Sequence, residues 1–314
     1  MDHHFRAFSF VDRITAIEPG VRISGSYTIP AGLVEFPMSH TAFPLSLVAE
    51  ATGQLAAWSA MAKIDFSHRP VAGLAGRVEL LREVRPGDTL ELSAELENAD
   101  TSDVAYGGCA SVNGEPVLRL HHCMGPMVPI GEFDDPDLLR ARLALLRGEG
   151  AVPGAFTGVP AFSLDGLAVE DGPQMKARAT LQVPAQAAFF GDHFPKRPVF
   201  PGTLLMNMNL QLVTALAANV PVRAGSRWVP RAVVDMKLRD FISPGELLHI
   251  EAKVMRHEGD GLKISVETRN EKGRLGAARV ELKPEGTAEG TAEGTSNVQH
   301  PTSNIQRTEA EGAA

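Results

Sequence analysis

Four residues of this 314-residue chain stand where their side chains or backbone could do chemistry. His193 lies in the proline-rich stretch Phe189-Phe190-Gly191-Asp192-His193-Phe194-Pro195-Lys196-Arg197-Pro198-Val199-Phe200-Pro201-Gly202-Thr203-Leu204-Leu205. An imidazole titrates near neutral pH, so it suits a general base. Glu50 lies among Leu45, Leu47, Val48 and Leu55, where desolvation would favour the neutral, proton-donating acid. Gln54, one helical turn further on, shares the face of Glu50 and can hydrogen-bond it. Gly202 follows Pro201 at an expected helix start, so its N–H, helped by the helix dipole, can bind an oxygen that gains charge. Plainer readings exist for each. A lone histidine in a proline-rich loop usually serves structure, an apolar helix can carry a glutamate paired with arginine, and Gly202 and Gln54 can serve a turn and the backbone. His121-His122-Cys123 offers no metal site, because adjacent strand residues face opposite sides and no further ligand stands at a suitable spacing. With no glycine-rich phosphate loop and no Gly-x-Ser-x-Gly turn, neither a metal nor a cofactor is expected.

The elements that must position these residues come twice. Val11-Asp12-Arg13-Ile14 has a counterpart in Leu164-Asp165-Gly166-Leu167. The pairs Pro30/Pro184, Pro44/Pro201, Gln54/Gln211 and Pro86/Pro244 lie 154, 157, 157 and 158 residues apart, in the same order in both halves. Each copy begins with a short strand and a second extended stretch, Val21–Ile29 or Met175–Val183. A loop ending in proline then leads to a helix apolar on most faces, Leu45–Lys63 or Thr203–Asn219, which predicts burial nearly all round. Strands are expected over Arg77–Arg82, Thr89–Leu96 and Val117–Cys123, then over Ala232–Leu238, Leu247–Val254 and Lys263–Arg269. Arg-Pro-Gly-Asp and Ser-Pro-Gly-Glu read as turns between adjacent strands. One buried helix and several antiparallel strands per copy define an α+β fold with a sheet wrapped on a helix. The divisions fall at 1–130 for the first copy, 131–160 for a linker with a short charged helix (Leu138–Arg147), and 161–284 for the second copy.

Composition narrows the function. A 44% hydrophobic, 22% charged chain is an ordinary globular one, and its length allows one or two domains. No apolar run approaches the roughly 18 residues of a membrane span. The opening Met-Asp-His-His-Phe lacks the basic and apolar regions of a signal peptide, so secretion is not expected. Two cysteines, Cys109 and Cys123, make no disulfide framework and fit a reducing cytoplasm. The net charge is −8, of which residues 285–314 supply −4 from five acids and one base. That segment is repetitive and polar and is expected to be a disordered tail. A body this mildly acidic does not point to nucleic acid.

The run from Phe189 to Leu205 resembles the signature of β-hydroxyacyl-thioester dehydratases of the hotdog fold, Gly-His-Phe-Pro-x-x-Pro-Val-x-Pro-Gly followed by an apolar helix that carries an acid and later a Gln. In the first copy, Ala49-Glu50-Ala51-Thr52-Gly53-Gln54 resembles the family's Glu-Ala-Met-Ala-Gln. The resemblance covers roughly residues 8–284 and implies a double hotdog, two antiparallel sheets each around a central helix, paired within one chain. In that family two subunits pair, and each site takes its histidine from one and its acid from the other. The acid follows the histidine by fourteen residues, which here falls on Asn207, an amide. The first copy has the reverse defect: Glu50 follows Pro44 by six residues, as Asn207 follows Pro201, but the His-Phe-Pro turn is missing from the shortened stretch 35–44, where His40 is at most a displaced remnant. The losses are complementary. If the halves pair as the family's subunits do, His193 meets Glu50 in one complete site, and the opposite site is dead.

The resemblance implies dehydration of a 3-hydroxyacyl thioester in fatty-acid or polyketide-type synthesis, with His193 as base, Glu50 as acid and the Gly202 N–H on the thioester oxygen. It further implies that the Val199 carbonyl orients the imidazole and that the apolar helices and strands form an acyl tunnel. The expected partner is an acyl carrier protein or a coenzyme A thioester, with Lys196 and Arg197 beside the catalytic loop available to an acidic carrier. Further assembly into homo-oligomers of pseudodimers stays open. The fold also hosts thioesterases, and a non-catalytic acyl-binding or scaffold protein is the reading from a different class.

Overall fold

The computed structural model describes residues 5–32, 42–153, 159, 163–172 and 174–286. His40, most of the shortened loop around it and the tail beyond Gly286 lie outside the described residues. In the first half, β1 (Arg13–Glu18) and β2 (Arg22–Thr28) precede α1 (Leu45–Lys63), followed by β3 (His68–Pro70), β4 (Leu74–Leu80), β5 (Thr89–Ala99), β6 (Asp103–Val112) and β7 (Glu115–Pro129). A connecting helix α2 (Pro136–Arg147) leads to β8 (Asp165–Glu170) and β9 (Lys176–Gln182). Then come α3 (Gly202–Ala217), β10 (Ser226–Leu238), β11 (Leu247–Glu258), β12 (Gly261–Asn270) and β13 (Gly273–Gly286).

The described strands form one sheet in the order β1-β2-β5-β6-β7-β4-β10-β13-β12-β11-β9-β8, with β3 pairing on β7 off this path. Read inward from each end, the two halves follow the same order once β1, β2, β4, β5, β6 and β7 are matched to β8, β9, β10, β11, β12 and β13. The repeat seen in sequence is therefore a repeat of topology. The matched strands β4 and β10 pair antiparallel with each other, Val78 opposite Val233 and Ala75 opposite Met236, as a two-fold relation requires. This ladder leaves neither half with an open edge at the seam and makes the sheet continuous.

Each sheet curls round its helix because the helix has almost no polar face. Leu47, Val48, Ala51 and Leu55 of α1, and Leu205, Met208, Leu212 and Leu216 of α3, are buried. Small residues set the spacing: a Cβ at Gly108 of β6 would lie 2.6 Å from Thr52 Cγ2 of α1, so only glycine lets the strand approach this closely. Matching prolines start the two helices in matching geometry, Pro44 at φ −60°, ψ 126° and Pro201 at φ −61°, ψ 132°. The residue before each proline is tied to the sheet side, with the Phe43 N–H donating to the Val84 carbonyl at 2.7 Å and the Phe200 N–H to the Ile242 carbonyl at 2.8 Å.

Three expectations change. The Pro-Gly turns do not join neighbouring strands: β6 and β7 lie between β4 and β5, and β13 and β12 lie between β10 and β11. The turns instead cap β2 and β9, with Gly87 N–H on the Ile29 carbonyl and Gly245 N–H on that of Pro184, both glycines at positive φ (91° and 80°). Strands β6 and β13 form although their Gly- and Ala-rich sequences carry little strand propensity, because neighbours on both sides hold them. Strand β13 runs on to Gly286, two residues past the expected tail boundary, because Glu285 pairs with Arg227 in the ladder and with the Arg231 side chain at 2.6 Å.

Candidate active site

His193 and Glu50, 143 positions apart in the numbering, line one cavity of about 230 Å³. The histidine loop follows a short helical turn, Ala188–Gly191, and is closed on itself: the His193 N–H donates to the Phe189 carbonyl at 2.8 Å, and the Val199 N–H to the His193 carbonyl at 3.0 Å. His193 Nδ1 lies 2.8 Å from the Val199 carbonyl. A carbonyl can only accept, so Nδ1 carries the hydrogen and Nε2 keeps its lone pair. The ring stacks on Phe194 (4.2 Å, 21°) and meets the edge of Phe8 at 5.7 Å. Burial pushes the imidazole below its ordinary 6.5, and the Arg69 cation adds to this. Glu50 and the Val199 carbonyl oppose the shift. The neutral ring is thereby favoured.

Glu50 projects from α1 in the other half, and both carboxylate oxygens are held. Gln54 Nε2, one turn further along α1, donates to Oε1 at 2.9 Å. Thr203 Oγ1, the second residue of α3, donates to Oε2 at 2.7 Å across the seam. Gly202 opens α3 on the cavity wall, and as the first helical residue its N–H has no intrahelical acceptor. A Cβ there would sit 2.5 Å from Leu238 Cδ1. Beyond these polar groups the cavity turns apolar. Ala49, Gly53, Ala57, Trp58 and Met61 form one face of α1, opposite Met124 of β7 and Met236 and Leu238 of β10. Tyr106 and Cys123 also line it, both with pKa values raised by burial, the thiol to about 12. They remain neutral at physiological pH, which suits a lining for a hydrocarbon chain.

Of the residues expected from sequence, His193, Glu50, Gln54 and Gly202 come together on this cavity, and Val199 sits behind the imidazole. Asn207 is buried in α3 and is not among the lining residues. Lys196 and Arg197 lie on the outer side of the loop and already have partners. Lys196 Nζ donates to the carbonyls of Asp134 (2.8 Å) and Gly131 (3.3 Å). The Arg197 guanidinium covers the rings of Phe241 (4.9 Å) and Phe133 (5.2 Å).

Sequence reasoning missed two groups in the site. Thr203 was visible in the motif, but only the packing of α3 on α1 shows that its hydroxyl reaches Glu50. Arg69 of β3 lies on the far face of Phe194, 3.7 Å from the ring centroid, and pairs with Asp134 at 3.0 Å. Burial pulls the Arg69 guanidinium down to about 10, still cationic near neutral pH. No local signal marks it, since an Arg-Pro pair in a short strand is unremarkable by itself.

The fold is that of a hotdog protein, and its cavity is lined by a histidine from one half and a glutamate from the other. Comparisons with known proteins bear on the fold and the family. A family model described as ApeI dehydratase matches residues 169–275. The 3-hydroxyacyl-(acyl-carrier-protein) dehydratase FabZ of Rickettsia bellii is 30% identical over 105 residues, 33% of this chain and 72% of the relative. Those of Bacillus subtilis (33% over 92 residues) and Ruminiclostridium cellulolyticum (30% over 94 residues) match 29% and 30% of this chain. The chain spans 63% and 66% of these two relatives, under two thirds of either. Among solved structures, the dehydratase domain of PpsC from Mycobacterium tuberculosis superposes with a TM-score of 0.54 at 17% identity, covering 89% of this chain and 100% of that one. A putative oleoyl thioesterase from Lactobacillus plantarum gives 0.53 at 9% identity, covering 84% and 96%. These likenesses show the shared fold. The chain belongs to the 3-hydroxyacyl dehydratase family.

The bond across the seam makes a direct prediction. Thr203→Val leaves one oxygen of Glu50 without its donor and is expected to cost about 1.5–3 kcal/mol in urea unfolding. Thr203→Ser, which keeps the hydroxyl, should stay close to wild type; a Thr203→Val variant as stable as wild type would show that the bond contributes nothing.

Proposed function

We propose that the protein converts a 3-hydroxyacyl thioester to the trans-2-enoyl thioester at a single composite site. The observation that carries the reading is the cross-half arrangement: a histidine with Nδ1 fixed on the Val199 carbonyl and Nε2 free to take a proton shares a cavity with Glu50, itself bonded to the start of α3. His193 Nε2 removes the proton from C2. Charge builds on the thioester oxygen, where the Gly202 N–H and the α3 dipole receive it. Glu50 protonates the C3 hydroxyl, the C3–O bond breaks, and C2=C3 forms as water leaves. Return of the proton from imidazolium to carboxylate restores both groups. Burial, with a smaller contribution from Arg69, keeps the His193 ring neutral at rest and so available to take the proton, and Glu50 offsets part of the lost basicity.

His193→Ala and Glu50→Gln are each expected to lower enoyl-thioester formation by about 100-fold or more while the fold is kept. The base works only when neutral, and its pKa is depressed from 6.5, so activity is lost as pH falls through a value below 6.5. A kcat/KM profile whose acidic limb lies above 6.5 would contradict this assignment. Release of free thiol from an acyl thioester, without dehydration, would move the reading to a thioesterase.

For the substrate's handle we propose an acyl carrier protein, met by the outer side of the histidine loop. Lys196 is committed to two carbonyls that hold the loop, so Arg197 is the cation with more freedom to attract an acidic carrier. Arg197→Glu should raise KM for a carrier-bound substrate about tenfold and leave KM for a pantetheine thioester unchanged. Equal effects on both substrates would rule out docking there.

A further inference from the structure

The segment ahead of β1 is bound to both halves of the site. The carboxylate of Asp192, immediately before His193, accepts hydrogen bonds from the backbone N–H groups of Phe5, Ala7 (2.8 Å) and Phe8 (2.6 Å), and from Ser9 Oγ at 3.3 Å. The same segment is held at its other end by Gln54, the residue that orients Glu50. Gln54 Oε1 accepts from the Phe10 N–H at 2.9 Å, and Gln54 Nε2 donates to the Phe8 carbonyl at 2.8 Å as well as to Glu50. Between these anchors the Phe8 ring stands edge-on to the His193 ring, and Phe5, Phe8 and Ser9 line the cavity. The outer face of Phe5 carries the Arg142 guanidinium of α2, 5.0 Å from the ring centroid. In the dehydratase signature a glycine directly precedes the histidine, and in this chain Asp192 stands in its place.

We infer that residues 5–10 are a working part of the active site: a strap, anchored by Asp192 on one half and Gln54 on the other, that fixes the histidine loop relative to Glu50. The inference rests on the reading of His193 and Glu50 as the catalytic pair. Asp192 is then a positioning residue. Its several charge-assisted bonds to backbone N–H groups act on the residue next to the base, where a displacement of about 1 Å can cost a hundredfold in rate. Gln54 couples the strap to the acid by the same logic, since one amide group serves both the strap and Glu50.

The test compares full-length wild type, Asp192→Ala, Asp192→Asn, a chain lacking residues 1–9, and that deletion combined with Asp192→Ala. Asp192→Ala is expected to lower kcat about 10- to 100-fold with KM changed less than about threefold, at a temperature where circular dichroism shows each variant folded. Asp192→Asn, which keeps one acceptor oxygen, should recover part of the loss. The deletion should lose at least as much as Asp192→Ala, since it also removes Phe8 and its bond to Gln54, and adding Asp192→Ala to the deletion should cost nothing further, because the connection is already gone. Additive losses, or a rise in KM with unchanged kcat, would overturn the strap as a positioning device. Full turnover in Asp192→Ala beside an inactive His193→Ala would overturn it alone. A wild-type chain that dehydrates no 3-hydroxyacyl thioester would overturn the dehydratase reading, and the strap's role with it.

Discussion

The ladder between β4 and β10 is the constraint on which the site depends. Because two matched strands pair with each other, the sheets of the two halves become continuous and α1 is carried against α3. That contact puts the first turn of α3 beside the second turn of α1, where Thr203 can reach Glu50. The histidine loop leads directly into α3 through Pro198-Val199-Phe200-Pro201, so fixing the helix also fixes the loop. Side-chain pairs reinforce the seam, including Arg77 of β4 with Glu281 of β13 at 3.0 Å. Both lie near the surface, and such pairs contribute little beside the ladder and the apolar burial beneath it.

Joining the halves in one chain frees each from having to be complete. On the proposed reading, the first half supplies the acid, Gln54 and a cavity along α1 lined by the small residues Ala49, Gly53 and Ala57. The second supplies the base, its carbonyl partner and the glycine that opens α3. At the matched position in α3, Asn207 and Gln211 repeat the spacing of Glu50 and Gln54, but Asn207 cannot supply a carboxylic proton and Gln211 Nε2 is buried without a hydrogen-bond partner among the described residues. The proposed chemistry thus sits at one end of a two-fold relation that the fold itself keeps.

Much of this was legible in the sequence because it is written locally or by repetition. The α1 limits follow from the proline before Leu45 and the largely apolar stretch after it, and the order of Pro, Gln and Pro-Gly landmarks exposes the repeat. The composite pairing we propose rests, in the sequence, on two defects that cancel, the amide at 207 and the missing turn before Glu50. What could not be read depends on contacts between distant segments. Thr203 meets Glu50 over 153 positions and Asp192 meets Phe8 over 184, and no periodicity encodes such contacts. Strands β6 and β13 were hidden for a related reason: Gly and Ala gain strand structure from neighbours on both sides rather than from their own preference. The Pro-Gly sequences mark turns but not their neighbours, since turn chemistry specifies a bend and not which strand it will cap.

The central claim is that base and acid belong to different halves of the same chain. The most direct measurement mixes or co-expresses two inactive variants, His193→Ala and Glu50→Gln, and assays dehydration of a 3-hydroxyacyl thioester. With the site formed within one chain, each molecule lacks one of its two groups and the mixture stays as inactive as its components. Restored turnover would show that a base on one chain works with an acid on another, and would contradict the site described.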